Sequence, residues 1–250
     1  FAMQLYFIRH AQSENNAHWG DETYQESNDP ELTKIAHSQV KHLARFLSEN
    51  QRLEEDISWN PQNRHGFGLT HIYTSLMVRA VETATPVAQA VKIPLVSWPE
   101  IHETGGIFSR LAEDEKAGLP GKPRSFFEAN FPHLALPDWL DESGWWQSRP
   151  FESYEMRYPR AKKVWANLLA RHGDQEGRPE HRVALVSHGG FFMHLLTAAL
   201  KVDLHRNGDF DHAYWFLMNN CGITRLEVSE DHILVVYVNR TDFLPSKLIT

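Results

Sequence analysis

The chain is poor in cysteine, in long apolar runs and in positive charge, and each shortage removes a class of protein. A single cysteine, Cys221, rules out an internal disulfide framework and agrees with a reducing compartment. No apolar stretch approaches the ~20 residues of a membrane-spanning helix, and the start lacks a basic segment followed by a hydrophobic signal core. No membrane partner is therefore expected, and the expected location is the cytoplasm. Met3 reads as the natural start, with Phe1 and Ala2 preceding it. A formal net charge of −7 argues against a nucleic-acid partner, whose binding needs a broad basic face, but allows an anionic small molecule held by a few cations in one cleft. The 15 histidines form no HExxH pattern and no short tract, and there is no paired CxxC, so no metal is expected and most histidines read as surface or packing residues.

What remains is an ordinary globular composition, 42% hydrophobic over 250 residues, with no internal repeat and no linker that divides the chain. One domain over 1–250 is expected. The apolar run Leu5-Tyr6-Phe7-Ile8 stops abruptly at Arg9-His10, which predicts a buried strand delivering both residues to its carboxyl end. After a polar, acidic loop from Asp21 to Thr33, a helix is expected to start at Asp29-Pro30 or Thr33, with Ala36, Val40, Leu43, Ala44 and Leu47 on one face. Residues 50–69 read as a long connection. His71 to Thr74 reads as a strand, followed by a helix capped by Ser75 and running to Val91, kinked or split at Pro86. Ile93 to Trp98 reads as a third strand, with Pro94 at its start or marking an edge.

From Glu100 to Pro150 periodicity fails, and the density of aromatics predicts a partly helical insertion, about 104–150, packed on the domain as a lid or cap. A helix is expected from Pro159 to Gly173, a buried strand at Val183–Val186, a helix from Phe191 to Leu200, and strands at Tyr214–Leu217, Ile223–Val228 and Ile233–Val238, the last two a hairpin. The alternation of strands and helices predicts an α/β fold of three layers, a mostly parallel central sheet flanked by helices.

Two places share one design: Ile8-Arg9-His10 and Val186-Ser187-His188-Gly189-Gly190 each put a histidine at the exit of a buried strand. Ligands bind at that end of open α/β sheets, and the helix after His188 points its free N–H groups there, an arrangement that favours an anion. Arg79 falls in the first turn of its helix, where a cation opposes the helix dipole unless an anion compensates. Glu103, in His102-Glu103-Thr104-Gly105-Gly106, follows a strand in the same sense.

Taken together, Arg9-His10-Ala11-Gln12-Ser13-Glu14-Asn15-Asn16 resembles the RHG signature of the histidine phosphatase superfamily, the group that includes cofactor-dependent phosphoglycerate mutases. Asp29-Pro30-Glu31-Leu32-Thr33, the Ser75–Ala84 stretch, Glu103-Thr104-Gly105-Gly106, Val186-Ser187-His188-Gly189-Gly190 and Asn220-Cys221-Gly222 resemble further family motifs in the same order. The resemblance implies that His10 is a nucleophile that becomes phosphohistidine. It implies that Arg9, Arg79 and His188 bind the transferring phosphoryl group, that Asn16 adds a hydrogen bond, and that Glu103 is the proton donor, with Glu100 the competing candidate three residues earlier. Ala11 stands where the signature has glycine and is tolerable if the backbone there needs no positive φ.

The reaction so implied is hydrolysis of a small phosphorylated metabolite by a phosphomonoesterase that needs no metal or other cofactor. The alternative is a phosphoglycerate mutase, which alone would call for 2,3-bisphosphoglycerate. A non-catalytic phospho-ligand module is a third reading. Arg110, Lys116, Lys122, Arg124 and Arg149 are the insertion's candidates for a second anionic group on the substrate.

Overall fold

A computed structural model describes residues 3–53, 60–111, 115–202, 205–206, 209–212 and 215–250. The elements are β1 (Met3–Arg9), α1 (Glu14–Ala17), α2 (Lys34–Glu49), β2 (His71–Thr74), α3 (Val78–Val91), β3 (Leu95–Ser97), β4 (Phe108–Arg110), β5 (Lys116–Gly118), α4 (Arg124–Asn130), β6 (Leu134–Ala135), α5 (Tyr154–His172), β7 (His181–Ser187), α6 (Gly189–Leu200), β8 (His205–Arg206), β9 (Asp209–His212), β10 (Ile223–Val228) and β11 (Ile233–Arg240). Seven strands form one sheet in the order β11-β10-β1-β7-β2-β3-β6. The pairs β1–β7, β7–β2, β2–β3 and β3–β6 are parallel, and β10 and β11 run antiparallel on the other flank.

Strand geometry explains the three layers. Alternate residues of β1 face opposite sides: Tyr6 and Ile8 join the core shared with α2, α3 and the insertion, while Met3, Leu5 and Phe7 join the core shared with α5 and α6. Helix α2 starts where Thr33 Oγ1 accepts the Ala36 N–H at 3.2 Å, and it buries the expected stripe of Ala36, Val40, Leu43, Ala44 and Leu47. The chain thus has the three-layer α/β/α fold that its alternating pattern predicts.

Several expectations are corrected. Ser75 does not cap α3; that helix begins after Met77, and Ser75 turns its hydroxyl to His188 instead. Pro86 lies inside α3 without ending it. Helix α5 begins at Tyr154, not Pro159, which sits within it. Trp215–Leu217 is not a strand, and Tyr214 lies outside the described residues. The third strand is shorter, starting after Pro94, and it is not the sheet edge, because β6 from the insertion pairs beside it through Leu95–Leu134 and Val96–Ala135. The insertion is partly helical through α4 and is anchored by Phe127, Trp145 and Trp146, all buried in the main core.

Candidate active site

Register brings the chemistry together. Arg9 lies opposite Ser187 and Thr74 opposite Val186, so β1, β7 and β2 end on one line. The pairing runs one residue further, with the His10 N–H on the Ser187 carbonyl at 2.9 Å and the Ser75 N–H on the Val186 carbonyl at 3.3 Å. His10, Ser75 and His188 therefore share the carboxyl edge of the sheet, and the two imidazole centroids are 5.1 Å apart.

His10 is buried, 2% exposed. Its Nδ1 lies 2.6 Å from the Ala11 carbonyl oxygen, and Arg79 Nε–H points at its Nε2 at 3.2 Å. A carbonyl only accepts, so the ring proton sits on Nδ1 and the Nε2 lone pair faces Arg79. Burial foremost, then the charges of Arg79 and Arg9, hold His10 well below the ordinary imidazole range against the smaller upward pull of the Ala11 carbonyl. The ring is neutral at physiological pH, which is the form able to attack phosphorus. Ala11 is fully buried, gives its N–H to Thr83 Oγ1 at 3.0 Å and is not among the residues with positive φ, so alanine serves in place of glycine.

His188 is likewise buried and shifted down, by burial first and then by Arg79, His10, His102 and Arg160. Its Nε2 meets Ser75 Oγ at 2.7 Å, while its Nδ1 is a buried nitrogen without a hydrogen-bond partner. Arg9 gives Nη1–H to the Met218 carbonyl at 2.5 Å, and its Nε is also buried and unpartnered. Unsatisfied buried polar atoms of this kind are costly unless a ligand meets them.

The Asn16 amide oxygen is engaged within the protein, and the hydrogen bond expected of this residue calls for its NH2, since a phosphoryl oxygen only accepts. Its Oδ1 accepts from the Ser13 N–H at 3.2 Å, closing a capping box on α1, and from Asn220 Nδ2 at 3.1 Å. Asn220 Nδ2 also donates to the His10 carbonyl at 2.9 Å, so the Asn16–Asn220 pair braces the backbone of the histidine.

Asp29 does not start α2, which takes Thr33 as its N-cap, but turns to α3 instead. Its Oδ1 accepts the Val78 N–H at 3.0 Å and lies 3.8 Å from Arg79 Nη1. A carboxylate from a loop 49 residues upstream thus caps α3, whose own preceding residue Met77 gives no side-chain cap, and offsets the cation in its first turn. Burial raises the Asp29 pKa to about 6, with Arg79 pulling the other way. The Asp-Pro dipeptide was visible in the sequence; its meeting with α3 was not.

Glu103 folds over the start of α6. Its Oε2 accepts from Gly190 at 3.1 Å, and its Oε1 accepts from Phe191 at 2.9 Å and Thr104 at 2.7 Å, all backbone N–H groups. Gly190 permits this approach, since a Cβ there would stand 2.5 Å from Glu103 Oε1. Glu103 and Arg79 line one cleft of about 870 Å³, walled by 15–30 on one side and by Thr104 to Arg110 on the other. Glu100 instead borders a separate cavity with Arg149 and Arg160.

Of the five cations expected in the insertion, Arg110 alone lines the large cleft, where it pairs with Glu26 at 3.4 Å. Arg124 donates to the carbonyls of Leu140 and Pro137, and Arg149 to that of Trp146. Lys116 lies over the Phe151 ring and Lys122 over Phe126.

A family model described as histidine phosphatase superfamily, branch 1, matches residues 5–241. No curated protein is a significant match. Among solved structures, a putative α-ribazole-5′-P phosphatase from Escherichia coli aligns with 19% identity and a TM-score of 0.58, over 96% of this chain and 98% of that one. A mycobacterial glucosyl-3-phosphoglycerate phosphatase solved with VO3 aligns at 20% identity and a TM-score of 0.57, over 95% and 99%. A phosphoserine phosphatase from Entamoeba histolytica, in complex with 3-phosphoglyceric acid, aligns at 18% identity and a TM-score of 0.54, over 97% and 100%.

Proposed function

Because the chain belongs to the histidine phosphatase superfamily, we propose that it is a phosphomonoesterase that hydrolyses a small phosphorylated metabolite through phosphohistidine at His10. The observation that carries this reading is the buried His10 with its proton held on Nδ1 by the Ala11 carbonyl and its Nε2 turned to Arg79. In the first step Nε2 forms a bond to phosphorus as the ester P–O bond breaks, and the carboxylic acid of Glu103 gives its proton to the departing alkoxide. In the second, Glu103 takes a proton from water as the water oxygen bonds phosphorus and the P–Nε2 bond breaks. Arg9, Arg79 and His188 hold the phosphoryl oxygens, the unpartnered Arg9 Nε and His188 Nδ1 supplying donors that are otherwise unmet. Asn16 gives an Nδ2–H to a phosphoryl oxygen in this scheme, while its Oδ1, through Asn220, braces the His10 backbone.

The three solved relatives named as phosphatases support hydrolysis over the mutase reaction. So does the cleft itself, where Asp21 and Glu26 accompany the lone insertion cation Arg110, a poor surround for a second phosphate or carboxylate. With the mutase set aside, 2,3-bisphosphoglycerate has no place, and the scheme needs no metal. The lid role proposed for the insertion falls to residues 104–110, which form one wall of the cleft.

The test is acid-free quenching of a reaction with a 32P-labelled phosphomonoester, paired with p-nitrophenyl phosphate turnover. Wild type is expected to carry base-stable, acid-labile label and to turn over equally with a chelator present. A His10→Ala variant should show neither label nor turnover. Label or turnover retained in His10→Ala would overturn the proposal, and turnover abolished by chelation would replace it with a metal hydrolase.

A further inference from the structure

At the opposite edge of the sheet a second group of histidines comes together from three elements. His71 is the first residue of β2, His181 the first of β7, and His172 the last of α5. One ring nitrogen from each lies within 4.8 Å of the other two. The His172 and His181 Nδ1 atoms are 2.9 Å apart, and the ring of His71 stands 4.6 Å, centre to centre, from each of the other two rings.

This edge is remote from the proposed phosphoryl site. Strand β7 starts at His181 and ends at Ser187, beside His188, a span of about 20 Å at the usual strand rise.

We propose that His71, His172 and His181 bind one divalent first-row transition ion, zinc being the reference case, and that the ion clamps the start of β2, the end of α5 and the start of β7 together. Three imidazoles with room for a water in the fourth position form a recognised donor set for such ions. At a metal–nitrogen distance of 2.0–2.1 Å, tetrahedral ligand atoms stand about 3.3–3.4 Å apart. The His172–His181 pair at 2.9 Å stands slightly inside that value and no pair exceeds 4.8 Å, so side-chain rotations suffice for the rings to close on an ion.

Outer partners support the arrangement. Tyr73 OH meets His172 Nε2 at 3.0 Å, leaving Nδ1 directed at His181, and Thr70 Oγ1 meets His71 Nδ1 at 2.8 Å. A hydrogen bond on the far nitrogen is the means by which proteins orient ligating imidazoles, and here hydroxyls occupy that place. Among the described residues no carboxylate joins the group, which leaves hard cations such as magnesium and calcium without the oxygen ligands they need. Arg178, whose charge opposes a cation here, donates to the carbonyls of Arg171 and Gly173.

The test uses the full chain, stripped with chelator and titrated with Co2+ as a coloured probe and with Zn2+ by thermal unfolding. One Co2+ per chain is expected to develop visible absorption typical of nitrogen ligands, displaced by one equivalent of Zn2+. A hundredfold excess of Zn2+ over its Kd should raise the melting temperature by roughly 5–10 °C. Both effects should be lost in His71→Gln and in His181→Gln and kept in His133→Gln, an exposed histidine outside the cluster. His71 and His181 are only half-buried, and the readout is the metal-induced shift within each variant, so a change in baseline stability does not confuse it. Absence of stoichiometric binding in wild type, or binding unaltered in both cluster variants, would overturn the proposal. Phosphatase turnover should be unchanged in both variants, which keeps this test independent of the reaction at His10.

Discussion

Two adjacent glycines at the start of α6 are expected to respond in opposite ways to the same substitution. At Gly190 an added Cβ would stand 2.5 Å from Glu103 Oε1 and 2.8 Å from Thr104 Oγ1. Glu103 would have to withdraw by about 0.9 Å to restore van der Waals contact. That movement would stretch the bonds to the Gly190 and Phe191 N–H groups, now 3.1 and 2.9 Å, beyond hydrogen-bonding distance. A displacement near 1 Å costs a positioned catalytic group on the order of 10²-fold in rate. At Gly189 the nearest atom to an added Cβ is Arg9 Nε at 3.6 Å, an ordinary contact. Alanine there relieves the helix of a glycine and is worth about 0.5–1 kcal/mol. Steady-state hydrolysis of p-nitrophenyl phosphate should therefore show kcat about 100-fold lower for Gly190→Ala. Gly189→Ala should stay within about twofold of wild type and melt roughly 1–4 °C higher. A Gly190→Ala enzyme within about threefold of wild-type kcat would refute the assignment of Glu103 as the acid, since its approach to α6 would then be irrelevant to the rate.

Three further outcomes follow from the same geometry. Asp29, with a folded pKa of about 6 against an ordinary value of 3.8, takes up a proton on folding between those limits, so its contribution to stability declines as pH rises through that window. Asp29→Asn, which keeps an oxygen for the Val78 N–H, should melt higher than wild type at pH 7, by up to the order of 3 kcal/mol, with the difference fading toward pH 4; a less stable variant at pH 7 would contradict this. Arg79→Lys should lose the fixed guanidinium donors and lower kcat/KM by about 10²–10³-fold, measured with the same ester. Trp145→Ala, at a fully buried position, should cost about 3–5 kcal/mol in urea unfolding, whereas a loss below about 1 kcal/mol would show that the insertion is not part of the main core.

The strands and helices that place the site were legible because their signals are local. The stop from Ile8 to Arg9-His10 and the stripe from Ala36 to Leu47 report burial periodicity directly, and both elements fall where that periodicity puts them. Helix starts were less legible where a cap comes from elsewhere: Ser75 has the chemistry of an N-cap, yet α3 takes its cap from Asp29 across a loop. Pro159 looks like a first-turn residue, but Ser153 precedes a full turn that the sequence pattern did not mark. Within the site, Arg9, His10, Arg79, Glu103 and His188 carried signals of position or family likeness. Asp29 lay in a family-like motif and beside a proline that suggested a helix start, but its part in capping α3 exists only through contact with a helix 49 residues away. The His71, His172 and His181 cluster was invisible for the same reason, having no spacing to read until β2, α5 and β7 were laid side by side.

The Nδ1 proton of His10 rests on the carbonyl of the very next residue. Many nucleophilic and ligating histidines rely on a separate acidic side chain for this, which a single codon change can delete. A peptide carbonyl has no codon of its own. The tautomer of His10 is thus insulated from substitution, from titration of a neighbouring acid and from salt, and position 11 is free to drift between small residues while the proton stays where it is. The other nitrogen has no such insulation: it faces the Arg79 side chain, so substitution at Arg79 reaches the charge state of the nucleophile as well as the hold on the phosphoryl group.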